Sequence, residues 1–354
     1  MDRNRLLSFV LLVCCCCLFS FAGARELRFE HKDVYNRTLA TILVEYASAV
    51  YVSDLTDLFS WKCSRCDGVI EGFEILELVV DVQNCLQAFV GVDKGLHAIV
   101  IAFRGTQEHS IQNWIEDLYW KQLDISYPGM PDAMVHHGFY FAYHNTTMRL
   151  GILNAIKTAK EIYGEMKIIV TGHSMGGAMA SLCGLDLAVN HDANKVQVIT
   201  FGQPRIGNAA FASYYSQLVP NMIRVTNNHD IVPHLPPYYT HFPQKTYHHF
   251  PREVWLYDTG VGSLTYPVEK VCDGSGEDPY CSRAVNGNSI TDHLSYYGVA
   301  LMADTWNSCK IVMDSRVKKY SNEDTHGNFI LSKKHSIVHP LGMKAMSDGG
   351  SSYF

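Results

Sequence analysis

The sequence predicts an α/β fold: a mostly parallel central sheet with helices on both faces. Apolar segments of strand length alternate with helix-like segments from His97 to Thr226, the order that builds crossover units. His97 to Phe103 is almost wholly apolar, as a strand buried on both faces must be. A glycine-flanked serine, Gly172-His173-Ser174-Met175-Gly176, separates a short apolar strand from a helix rich in small residues.

The elements follow in order. Leu39, Ile42, Leu43, Tyr46, Ala47 and Val50 recur at helical spacing. Branched and aromatic residues from Ile70 to Val82 read as strand. Ala88 to Asp93 is a second strand, and Asp93-Lys94-Gly95 signals a hairpin into the strand ending at Phe103. Helices are expected near Ile111 to Trp120 and over Phe139 to Tyr163. Then come strand Met166 to Thr171, helix Gly176 to Asn190, strand Val196 to Phe201, helix Ala209 to Leu218 and strand Met222 to Thr226. A further helix is expected from Leu294 to Ala300. No internal repeat or low-complexity linker appears, so residues 25–320 read as one domain, with 321–354 a polar, weakly patterned tail or extension.

The ends and the bulk composition bound the rest. Asp2-Arg3-Asn4-Arg5, the charge-free stretch Leu6 to Phe21 and the small residues Ala22-Gly23-Ala24 have the layout of a cleavable signal peptide, residues 1–24. No later stretch approaches ~18 consecutive apolar residues, so the mature chain is expected to carry no permanent membrane span. The expected location is secreted or within the secretory lumen. Asn36-Arg37-Thr38 and Asn145-Thr146-Thr147 are glycosylation sequons that fit this route. The formal net charge is −6 with no polybasic stripe, which argues against nucleic acid as a partner.

Eleven cysteines, four of them in the leader, leave seven in the mature chain. In an oxidising compartment some should pair. Cys63 and Cys66 can close a tight loop, and a Cys272–Cys281 bridge would staple a polar turn. Cys183, in an apolar helical run, reads as a buried free thiol, and the pairing of Cys85 and Cys309 is open. A zinc site at Cys63 and Cys66 would want a second close pair, which Cys272 and Cys281 are too far apart to supply. No metal or cofactor is expected.

Ser174 is the candidate nucleophile. A catalytic serine must protrude on a sharp strand-to-helix turn, and Gly172 and Gly176 remove side chains that would collide there. The following helix directs its first N–H groups toward developing negative charge. The serine needs a base, and the base an orienting acid, in the chain order serine, acid, histidine. Asp230 follows a strand and precedes Ile231-Val232-Pro233, with Asp258 and Asp278 as alternatives. Of the later histidines, His293 has a loop setting with room on both sides. Its neighbour Asp292 is a poor orienter, because adjacent side chains diverge. The oxyanion hole needs two donors: Met175, next to the serine, and Thr106, in the loop after Phe103. Beyond that loop, Ile111, Trp114, Ile115 and Leu118 form one apolar face of a short helix. It is either an ordinary surface helix or a lid over the site.

Together these segments resemble the class 3 lipases, which include fungal and many plant enzymes. The resemblance covers roughly residues 70–310 and rests on Ile101 to Thr106, Asn113 to Leu118, Val170 to Ala178, Thr200 to Asn208, Asp230 to Pro236 and Asp292 to Tyr297. It implies an α/β-hydrolase fold with Ser174, Asp230 and His293 as triad, Thr106 and Met175 at the oxyanion hole, and a helical lid at 107–120. It also implies disulfides at Cys63–Cys66 and Cys272–Cys281. The expected activity is hydrolysis of acylglycerol esters at a lipid–water interface. Two other readings stay open: a phospholipase A1, galactolipase or acyltransferase on the same site, and a catalytically silent lipase-like scaffold.

Overall fold

The computed structural model describes residues 35–106, 108–120, 125–191, 196–238, 246–261, 264–303 and 311–333. The expected signal segment, Gln107, Cys309 and the chain beyond residue 333 lie outside the described residues.

Ten strands make the central sheet: β1 Glu74–Asp81, β2 Leu86–Asp93, β3 Ala98–Phe103, β4 Lys167–His173, β5 Val196–Phe201, β6 Met222–Asn227, β7 Glu253–Val261, β8 Leu264–Val271, β9 Ser321–Glu323 and β10 Phe329–Ser332. Their order is β8-β7-β6-β5-β4-β3-β2-β1-β10-β9. The block from β3 to β7 is parallel throughout, and antiparallel hairpins extend it on both edges. The helices are α1 Arg37–Ala49, α2 Leu55–Ser60, α3 Glu108–Trp120, α4 His137–His144, α5 Thr147–Tyr163, α6 Met175–Asn190, α7 Ala209–Leu218 and α8 Ser315–Lys318.

Strand β3 shows why the sheet must be covered on both sides. Ile99, Ile101 and Phe103 enter the apolar cluster that holds α5, α6 and α7. Ala98, Val100 and Ala102 enter the other, which holds α1 and α2. Alternate side chains of a strand point to opposite faces, so an all-apolar strand requires a core on each face. This is the α/β-hydrolase architecture.

Caps fix the helix starts. Asn36 Oδ1 accepts from Leu39 N at 3.0 Å ahead of α1, and Asn208 Oδ1 accepts from Phe211 N at 3.0 Å ahead of α7. Such a cap satisfies a backbone donor that the first turn leaves unpaired. Capping also accounts for one departure from expectation. The single helix expected over Phe139 to Tyr163 is two helices, α4 and α5. The Thr146 hydroxyl accepts from Met148 N at 3.3 Å and starts a new helix just after Asn145.

Other differences lie downstream. The helix expected from Leu294 to Ala300 does not form. Ser295–Tyr296 pairs antiparallel with Val299–Ala300, and Tyr297 and Gly298, at φ 52° and 77°, make the turn. The sequence from Ser321, expected as a tail, supplies β9 and β10 to the sheet. Phe329 and Leu331 bury against the core while β10 pairs with β1. The β7–β8 hairpin was not expected either. Among the described residues, no helix is long and apolar enough to cross a membrane.

The registers set up the site. Phe103 lies opposite Gly172, His173 opposite Phe201, and Phe201 opposite Val225. The carboxyl ends of β3, β4, β5 and β6 therefore finish at one edge, where open α/β sheets carry their ligand sites.

Candidate active site

Thr106, Ser174 and Asp230 follow β3, β4 and β6 at that edge, and His293 reaches them from the long segment after β8. Ser174 lies between β4 and α6 with φ 59° and ψ −129°. A non-glycine residue rarely occupies this region, and it persists only where the surroundings enforce it. Two backbone hydrogen bonds do so. Ser174 N donates to Phe201 O at 2.9 Å, and Gly177 N donates to Ser174 O at 2.9 Å. The two elbow glycines complete the fit: a Cβ on Gly172 would lie 2.3 Å from Gly176 O, and one on Gly176 2.3 Å from Phe103 O. The turn can be this tight only if both positions lack side chains. Ser174 thus stands on a tight strand-to-helix turn.

Asp230 and His293 come together from loops 63 residues apart. His293 Nδ1 faces Asp230 Oδ2 at 2.9 Å, and both side chains are buried. The other oxygen, Oδ1, accepts from Val232 N at 2.8 Å, which fixes the carboxylate plane. Neither alternative acid holds this position. Asp278 accepts from Asp273 N and Tyr280 N inside the disulfide-closed loop, and Asp258 lies on β7, paired with Pro267 of β8. Asp292 accepts from His229 N at 3.1 Å and so braces the acid loop.

Gly202 ties this pair to the serine. It follows Phe201, the residue whose carbonyl accepts from Ser174 N. It has φ +56°, and a Cβ there would lie 2.9 Å from Asp230 Oδ2 and 2.9 Å from His293 Nδ1. The Ser174 Oγ and His293 Nε2 are both buried and have no hydrogen-bond partner among the described residues. A hydroxyl and an imidazole nitrogen left unsatisfied at one sheet edge are the two groups a nucleophile and its base would use. Thr106 Oγ1 donates to Met175 Sδ at 3.7 Å, so the two expected oxyanion residues also meet.

Helix α3 turns its apolar face inward. Ile115 and Leu118 are buried, and the Trp114 ring packs 6.2 Å from Phe139. Gln112, Asn113, Glu116 and Asp117 are exposed. The side chain of Ile111 lies outside the described residues.

The roles of several residues at the site were not read from the sequence. The Tyr296 hydroxyl donates to Asp230 Oδ2. Burial, with the Asp230 charge beside it, raises this phenol well above its ordinary value and keeps it a donor. His173 is wholly buried and lies 4.3 Å, ring to ring, from His293. Burial first, then the nearby His293, pushes it well below the ordinary histidine range, so it is neutral. Tyr51 Oη meets His173 Nδ1 at 2.8 Å. The carbonyl of Asp230 faces His234 Nδ1 at 2.9 Å. Arg205 donates to His234 O and Pro236 O and grips Glu277 through two bonds of 2.7 and 2.9 Å. Burial alone would raise the Glu277 carboxyl, yet Arg205 holds it below its ordinary value. Tyr296 and Gly202 lie inside segments that carried the family resemblance, so their signal was present but unassigned. Tyr51 had none, because nothing local links it to residues 122 positions away.

The cysteines fall as expected. Cys63–Cys66 and Cys272–Cys281 are disulfides, and Cys183 is a buried free thiol. Cys85 is disulfide-bonded too. The sequons Asn36 and Asn145 are both exposed.

A strand-to-helix serine elbow, an acid–histidine pair from two later loops and a parallel sheet beneath them define an α/β-hydrolase. Residues 100–240 match the model of the family "Lipase (class 3)". A secreted mono- and diacylglycerol lipase of Fusarium solani is 31% identical over 254 residues, covering 70% of this chain and 72% of its own length. A lipase of Rhizomucor miehei is 34% identical over 244 residues, covering 68% of this chain and 62% of its own length. Among solved structures, a triacylglycerol lipase with a serine protease triad as its catalytic centre superposes with a TM-score of 0.62 at 31% identity, over 75% of this chain and 97% of that one. The chain belongs to the class 3 lipase family.

Proposed function

We propose that this protein hydrolyses carboxylic esters of acylglycerols through Ser174, His293 and Asp230. The carrying observation is the geometry of the Asp230–His293 pair beside a strained, buried serine. Asp230 accepts the Nδ1 proton of His293 and fixes its tautomer. That leaves Nε2, which has no other partner among the described residues, to take the Ser174 proton as its oxygen attacks the ester carbonyl. The oxyanion is received by the N–H groups of Met175 and Thr106, and loss of one such donor typically costs roughly 10²–10³ in rate. His293 returns the proton to the leaving alcohol. Water, deprotonated by the same histidine, then releases the fatty acid and restores Ser174.

The related proteins support acylglycerols as the substrate class: one is named a mono- and diacylglycerol lipase and another a triacylglycerol lipase. Helix α3, apolar face inward and polar face outward, has the build of a lid that covers the site in water and turns toward lipid. The leader and the sequons support a secreted protein that works at a lipid–water interface.

The test is product analysis of the mature chain and its Ser174→Ala variant on emulsions of triacylglycerol, phospholipid and galactolipid. Fatty acid released from triacylglycerol by the parent and not by the variant is the expected result. Undiminished release by Ser174→Ala would overturn the assignment. Preference for phospholipid or galactolipid would keep the triad and change the substrate.

A further inference from the structure

Tyr51 lies in the turn after α1, outside every segment that carried the resemblance, and is fully buried. Its hydroxyl has two neighbours. One is the backbone of Gly105, packed so closely that a Cβ on Gly105 would lie 2.3 Å from the phenol oxygen. The other is His173 Nδ1 at 2.8 Å. On its far side, His173 Nε2 faces the carbonyl oxygen of His293 at 2.8 Å.

The direction of this chain of bonds follows from chemistry. A carbonyl only accepts, so Nε2 of His173 carries the hydrogen. In a neutral ring Nδ1 is then an acceptor, and the Tyr51 hydroxyl must donate to it. Three loops are joined in one line: the one carrying Thr106, the elbow carrying Ser174 and the turn carrying His293. Tyr51 is itself anchored. Gln87 Nε2 donates to Val50 O and Val52 O at 2.9 and 3.1 Å, and Arg104 Nη1 donates to Gln87 Oε1 at 3.0 Å. Residues on both sides of Tyr51 are thus fastened to the residue before Gly105.

We propose that Tyr51 and His173 are positioning residues: a buried hydrogen-bond line that sets the oxyanion loop and the base against the nucleophile. This rests on the assignment of Ser174, His293 and Thr106 given above. Tyr51 touches no reacting atom. Its hydroxyl acts on turnover by holding Gly105, next to Thr106, and the His293 backbone at fixed distances from Ser174.

The experiment compares Tyr51→Phe, His173→Gln, the double variant and Ser174→Ala in the mature chain on a soluble short-chain nitrophenyl ester. Competent sites are counted by stoichiometric reaction with a nitrophenyl phosphonate, and kcat is taken per titrated site, so a partly unfolded preparation does not enter the result. Misplacement by about 1 Å costs on the order of 100-fold. Tyr51→Phe is expected to lower kcat per site by roughly 10- to 100-fold and to leave KM within about twofold. The double variant should fall no further than the worse single variant, because either change breaks the same line. Wild-type kcat per site in Tyr51→Phe, or a double variant whose loss is the product of the single losses, would overturn the proposal. Activity surviving in Ser174→Ala would instead overturn the triad on which it rests.

Discussion

Replacing Gly202 by alanine tests how the acid and base are held. The added Cβ meets Asp230 Oδ2 and His293 Nδ1 at 2.9 Å each, closer than a methyl group tolerates. These two atoms are bonded to each other and both side chains are buried, so neither can swing into solvent. The residue must also keep φ at +56°, which costs an L-residue roughly 1–2 kcal/mol. Overpacking of a filled site adds about 1–3 kcal/mol. A loss of about 3 kcal/mol is expected, or a Tm lower by roughly 6 °C at about 2 °C per kcal/mol for a large domain. The methyl group also wedges the pair apart. A displaced base costs on the order of 100-fold in kcat. Scanning calorimetry and kcat on a soluble ester measure the two effects. If Gly202→Ala melts with the parent and turns over within twofold of it, Gly202 does not back the pair as argued.

Tyr296→Phe removes one donor to Asp230 and keeps the ring. A hydrogen bond to a charged group is worth about 1.5–3 kcal/mol, so the melting temperature should fall and kcat should drop about 10-fold, with KM for a soluble ester unchanged. Acid stability follows from the shifts. Glu277 is held below its ordinary 4.5, so its contribution is complete above that pH and fades as pH falls through the lower folded value. His173 and His249 are both held well below 6.5 by burial, so unfolding takes up protons below pH 6.5. Each then costs up to about 1.4 kcal/mol per pH unit. Melting curves between pH 7 and 5 should show this slope, and His249→Phe should reduce it. For α3, a parent whose rate rises steeply once triacylglycerol forms an emulsion is expected. Leu118→Ser, with its apolar contact weakened, should show a smaller rise, and an equal rise in both would argue against a lid.

Much of this could be read along the chain. Strands β3, β4 and β5 and helix α6 follow from local apolar patterning, because burial on both faces leaves a continuous apolar run. The elbow was legible because Gly172 and Gly176 are needed within five residues of each other. Asp230 and His293 were narrowed by order and loop setting, and the family resemblance singled them out. What could not be read depends on distant pairing. Strand β10 looks like part of a polar tail until β1 offers an unpaired edge. The turn after His293 has helix-like composition, but positive φ at Tyr297 and Gly298 folds it into a hairpin. Tyr51 meets Gly105 and His173, both remote in sequence, and no local spacing marks such a contact.

The central claim is that Ser174 is the nucleophile. The direct measurement is mass spectrometry after reaction with a long-chain nitrophenyl phosphonate. One adduct per chain on the peptide containing Ser174, formed in step with loss of lipase activity and absent in Ser174→Ala, is the predicted result. An adduct on another residue that tracks the loss, or full activity with Ser174 modified, would contradict it.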